Sequence, residues 1–144
     1  GTGAEPRGFP PGAGPSLLTP YHTARYAWLM KLAAAWTLLS LISGLHLYWA
    51  AGGLWPGKTR QELSARVIGD RPLPGPAACI TVAVLVILGP LLFPRLAALT
   101  FCLRGILGLL EVQLRPSICG TPYQSLSKRI YSPLSLLIGV LLWP

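Results

Sequence analysis

The chain has 144 residues, 52% of them hydrophobic and only 11% charged, against roughly a quarter charged in an ordinary soluble domain, which argues against a water-soluble fold. A formal charge of +8 would suit a nucleic-acid binder only if the basic residues gathered on one soluble face. They are scattered between apolar runs instead, so membrane lipids are the expected partners and nucleic acid is not.

In chain order, residues 1–20, GTGAEPRGFPPGAGPSLLTP, are too rich in glycine and proline for regular structure and are expected to form an extended arm ahead of one membrane domain, 21–144. The start at Gly1, without methionine or a signal-peptide core, points to processing or a missing stretch. The first span is expected at about 28–51. Its uncharged run LAAAWTLLSLISGLHLYWAA covers the ~30 Å hydrocarbon layer at about 1.5 Å per residue. Tyr26, Trp28 and Lys31 flank one end, and Tyr48, Trp49 and Trp55 the other, as anchors at headgroup level.

Thr59 precedes Glu62 by three residues, the capping-box spacing, so a short interfacial helix over 60–68 is expected between spans one and two. Leu63 and Val67, one turn apart, would face the membrane while Arg60 and Arg66 face water; an ordinary connector helix is the equal alternative. Span two is expected at 77–93, with Pro90 bending its last turn, and span three at 96–114 after the Pro94-Arg95 corner. A fourth span at 130–143 is short and either begins earlier or loses its tail, and Pro133 suits its first turn. The fold class is therefore all-α, a transmembrane bundle of four helices with both termini on one side. Positive-inside bias puts the better-charged opposite loops inside and the termini outside.

Polar residues within the spans are the candidate functional groups. Arg104 falls in the middle of span three, where an unpaired charge costs several kcal/mol, about 2.5–3.5 on insertion scales, so it should face the bundle interior. Its open partners are a carbonyl, the hydroxyl of Tyr131 or Ser43, a lipid phosphate, or an anionic group on another subunit. Glu111, two turns on, is too far for a relaxed direct contact and has Arg115 four residues away as a nearer cation. His46 shares a face with Ser43 and Trp49; a hydrogen bond to a hydroxyl or carbonyl is its ordinary use, and axial ligation of a pigment or haem is the less ordinary one. Gly105 and Gly108, with Gly89 on the neighbouring span, suit close helix packing. Cys79, Cys102 and Cys119 form no metal-binding or redox pair, and no metal site is expected. No nucleophile elbow and no phosphate-binding glycine loop occurs in the sequence.

Three segments carry a resemblance: HLYWAAGGLWP at 46–56, FCLRG at 101–105 and TPYQSLSKRIYSPLSLLIG at 121–139. With them the chain resembles domain-of-unknown-function family 3995, small four-helix integral membrane proteins. The resemblance implies a fold and no catalytic residue set. The expected function is a non-catalytic accessory or structural subunit packed against a larger membrane complex, respiratory or photosynthetic, in an organelle inner or thylakoid membrane or a bacterial plasma membrane. Two alternatives stay open: a small-molecule transporter or membrane enzyme using Arg104, His46 and Tyr131, with Glu111 beside them, and a pigment- or haem-binding module built on His46.

Overall fold

Proline and glycine punctuate the chain into its elements, and the computed structural model describes residues 20–143, with side chains from residue 23. The expected arm lies outside the described residues except for Pro20, which opens the first helix. Every regular element among the described residues is helical. In order they are α1 (Pro20–Ala50), α2 (Arg60–Val67), α3 (Pro76–Leu92), α4 (Pro94–Leu114), a 3₁₀ turn at Pro116–Ile118, α5 (Pro122–Leu126), a π-helical turn at Ser127–Tyr131, and α6 (Ser132–Leu142).

The helix ends have local causes. At the end of α1, Gly52 takes a φ of 94° that only glycine adopts freely. The Gly53 N–H then reaches the Tyr48 carbonyl at 2.9 Å and the Gly52 N–H the Trp49 carbonyl at 3.0 Å, which is the Schellman pattern of a helix stop. Helix α2 begins as its sequence spacing predicts. The Thr59 hydroxyl accepts the Glu62 N–H at 3.1 Å, and the Glu62 carboxylate accepts the Lys58 N–H at 2.9 Å, one residue outside the usual box.

The last run starts well before 130. Thr121 caps α5, Pro122 takes its first position, and the helical path continues through the π turn into α6. Pro133 is the reason for that turn: it has no N–H to give. The Ser132 N–H before it bonds five residues back to Ser127, the wider π spacing.

The four long elements pack in a ring, α1 on α3, α3 on α4, α4 on α6 and α6 on α1, with α4–α6 the most extensive pairing. One core of Ala35, Leu39, Ala97, Ala98, Ile138 and Leu142 fills the middle. A second, of Trp49, Leu63 and Cys79, lies under α2. This corrects the placing of α2: Leu63 is wholly buried and Val67 packs beside it, so the apolar face of α2 turns onto the bundle rather than outward. Glycine use also differs from the expectation. A Cβ on Gly105 would lie 2.5 Å from Leu136 Cγ and 2.9 Å from the Ser132 carbonyl, so its close approach is to α6, whereas a Cβ on Gly89 would meet no other described element within 4 Å. Gly139 makes the matching approach from α6, where a Cβ would lie 2.9 Å from the Ala98 carbonyl. Two helical stretches, Thr23–Ala50 and Pro94–Leu114, are long and apolar enough to cross a membrane.

Candidate functional site

At the end of the bundle where α1 and α4 finish and α3 begins, polar side chains form a network, with a second cluster around Glu62 and Arg66 beside it. Its hub is Tyr123, carried in by the first turn of α5 and 4% exposed. The Tyr123 hydroxyl donates to Glu111 Oε2 at 2.7 Å and accepts from Arg104 Nη2 at 3.3 Å. One neutral oxygen thus bridges the cation and the carboxylate whose two-turn separation forbids direct contact. The Ser127 hydroxyl donates to Glu111 Oε2 at 3.3 Å, and Arg115 Nη1 pairs with Oε1 at 2.8 Å.

Arg115 continues the network outward. Its other guanidinium nitrogen pairs with Asp70, which also accepts the Ser117 hydroxyl at 2.5 Å. The Ser117 bond above all, with Arg115 helping, holds the Asp70 carboxyl below the usual carboxylate range against the smaller cost of burial. Glu62 is held low in the same way, first by the Lys58 N–H and then by Arg66. Arg66 spans Glu62 at 2.5 Å and the Pro56 carbonyl at 3.0 Å. Its own carbonyl accepts the Tyr131 hydroxyl at 3.3 Å. Tyr131 therefore clasps α2 and meets the hub only through its ring, 6.2 Å from that of Tyr123.

Arg104 is not interior. The residue is exposed, and its guanidinium lies along the α4–α6 crossing in the trough left by Gly108, where a Cβ would collide with both Arg104 Nη1 and Ser132 Oγ. The missing side chain opens a path that a long flexible stem can follow toward polar company. Neither Tyr131 nor Ser43 is its partner: Ser43 donates to the Ala83 carbonyl at 3.0 Å and ties α1 to α3. Ser132 Oγ, wholly buried, has no hydrogen-bond partner among the described residues, a condition that costs about 1–3 kcal/mol.

His46 belongs to a different place. Its Nδ1 bonds the Ile42 carbonyl at 2.8 Å, one turn back, and its ring meets Trp49 edge-on at 5.2 Å. His46 borders a cavity of about 150 Å³ lined by Trp49, Val67, Leu73, Cys79 and Val82 among others. That volume suits a benzene-sized guest and is below the roughly 300 Å³ at which ordinary ligand pockets begin. Trp49, 7% exposed, donates from its indole to the Trp55 carbonyl at 2.7 Å and fixes the turn after α1, while Trp55 itself is exposed. Among the described residues no group of three or more His, Cys, Asp or Glu is placed to hold a metal ion.

The structure thus joins Arg104 and Glu111, sets Tyr131 at their margin and leaves His46 apart. Sequence reasoning missed Tyr123, Ser132 and Asp70. Thr121 and Pro122 were the available signal, since a cap followed by proline marks a helix start there, and a helix begun at Pro122 carries Tyr123 and Ser127 one turn apart on one face.

No curated protein and no solved structure matches the chain. Of the three segments that carry the resemblance, only HLYWAAGGLWP lies within the stretch matched by a family model; FCLRG and the Thr121–Gly139 segment fall beyond it. That model is described as Protein of unknown function (DUF3995), and over residues 39–97 the chain is similar to this family.

Proposed function

We propose that the chain is a four-span integral membrane protein that serves as a non-catalytic accessory subunit, its apolar flank seated against a larger membrane complex. The observation that carries this reading is where the large apolar side chains lie. Leu85, Leu91 and Leu92 on α3 and Leu96, Leu99 and Leu103 on α4 are each more than half exposed, while the ring closes on small residues such as Ala83, Ala97, Ala98, Gly105 and Gly139. An apolar surface of this kind is covered by lipid, by protein, or by both. Helix α3, at 17 residues, is at the lower bound of about 17–25 for a crossing. The helical path from Pro122 to Leu142 lengthens the fourth run toward the same range.

The polar network supports a structural role. Glu62, Asp70 and Glu111 each have a cation partner, as expected of groups that hold elements together. A transporter or enzyme using Arg104, His46 and Tyr131 draws less support, because the hydrogen bonds of His46 and Tyr131 go to Ile42 and Arg66 rather than toward Arg104. The test is extraction from the native membrane in mild detergent followed by native mass measurement. A defined assembly larger than the chain is expected, and recovery of the free monomer alone would overturn the reading.

A further inference from the structure

We propose that the trough between α4 and α6 at Arg104 is an anion site that takes a phosphate group, with Arg104 as its cation and Ser132 as a second donor. Three observations meet there. Arg104 stands exposed halfway along α4 with no carboxylate within ion-pair distance among the described residues. It makes a single long bond, 3.3 Å, to the neutral Tyr123 hydroxyl, and a guanidinium carries five donors in a fork that matches phosphate oxygens.

Ser132 supplies the second observation. Its hydroxyl is wholly buried and has no partner among the described residues, and it borders the same notch over Gly108 as Arg104 Nη1, since a Cβ placed there would collide with both. The notch therefore gathers donors: the Tyr123 proton already goes to Glu111, and what the site lacks is an acceptor. An oxyanion seated on the exposed Arg104 supplies that acceptor, and it reaches the covered Ser132 hydroxyl once the Arg104 side chain swings off the notch that it fills.

The third observation is the field around the notch. Lys128 and Arg129 stand exposed on the π turn that leads to Ser132, and Lys58, Arg60 and Arg71 lie at the same end of the bundle; none of the five has a carboxylate partner among the described residues. All three described acids are engaged by Arg66 and Arg115, so the excess charge at this end is positive. Basic groups at a membrane edge attract anionic headgroups, and an arginine that leans toward that edge reaches headgroup level from a deeper backbone position. The phosphate is a lipid headgroup's or one free in solution. The site does not depend on the accessory-subunit reading, since it is complete within one chain.

The test is lipid retention by the intact purified chain in nanodiscs of equal phosphatidylglycerol and phosphatidylcholine, read by native mass spectrometry, with and without inorganic phosphate. Wild type is expected to keep phosphatidylglycerol roughly tenfold over phosphatidylcholine, the size of one charge-assisted contact. Arg104→Gln brings the ratio near one, Ser132→Ala lowers it a few-fold without loss of helix content, and Arg95→Gln, at the opposite end of the bundle, leaves it unchanged. Displacement by millimolar phosphate assigns the site to the free anion, and resistance assigns it to the headgroup. Equal retention by wild type, Arg104→Gln and Ser132→Ala overturns the proposal, as does loss of a bound protein in Arg104→Gln with lipid retention untouched. If Arg104→Gln fails to fold, Ser132→Ala decides.

Discussion

Tyr123 is the residue on which the polar end depends, because its hydroxyl satisfies a cation on one side and a carboxylate on the other. Tyr123→Phe keeps the buried ring and removes only that oxygen. Leaving Arg104 and Glu111 each short of a bond should cost about 1–3 kcal/mol of stability, read as a lower unfolding temperature in detergent; an unchanged temperature would remove Tyr123 from its central place. Asp70 gives a pH dependence with a definite sign. Its carboxyl is held below the ordinary range by Ser117 and Arg115, so its stabilising contribution is present above the ordinary carboxylate pKa and is lost as pH falls through the depressed value. Acidification should therefore weaken the tie between the loop after α2 and the end of α4, and Asp70→Asn should flatten that dependence. Hydrogen exchange at residues 66–71 across an acid titration measures it. The local pair Glu111–Arg115 was legible from its four-residue spacing. The Arg104–Tyr123 contact was not, because it joins positions nineteen residues apart and depends on where the fourth helical run begins.

Elements show the same division between local and distant causes. The start of α2 was legible because its caps are local: the Thr59 hydroxyl accepts the Glu62 N–H, and the Glu62 carboxylate accepts the Lys58 N–H. Its packing was not, since Leu63 is buried against Trp49 and Cys79 from two other helices. Thr59→Ala should cost about 1 kcal/mol, confined to α2, and appear as faster amide exchange there with the long helices unaffected. The glycines offer a sharper contrast. A methyl on Gly105 meets Leu136 and the Ser132 carbonyl, an overpacking worth about 1–3 kcal/mol. A Cβ on Gly89 would meet no other described element, so Gly89→Ala should gain roughly 1 kcal/mol of helix propensity. Opposite shifts in unfolding temperature for Gly105→Ala and Gly89→Ala would verify that α4 meets α6, and equal shifts would deny it. The sequence marks Gly105, Gly108 and Gly89 alike as small; which helix each one faces depends on the ring order, which no single segment carries.

At the scale of the whole molecule, the up-and-down order of α1, α3, α4 and α6 sets two unlike ends. Lys31 donates to the Trp143 carbonyl at 2.9 Å, where a cation suits the end of a helix, and this joins the first half of α1 to the end of α6. The opposite end holds α2, the polar network and most of the basic residues. Apolar run lengths made the helices legible, and the short fourth run, for which an earlier start was one of two expectations, begins at Pro122 and passes through the π turn before Pro133. If all four runs cross the membrane, the loop after α2 and the loop after α4 share one face, and the Pro94-Arg95 corner lies on the other. The most direct test is cysteine accessibility to a membrane-impermeant maleimide in sealed vesicles, using Arg71→Cys, Arg95→Cys and native Cys119 one at a time in a background with the remaining cysteines replaced by alanine. Four crossings predict that positions 71 and 119 label from one face and position 95 from the other; labelling of 71 and 95 from the same face would contradict it.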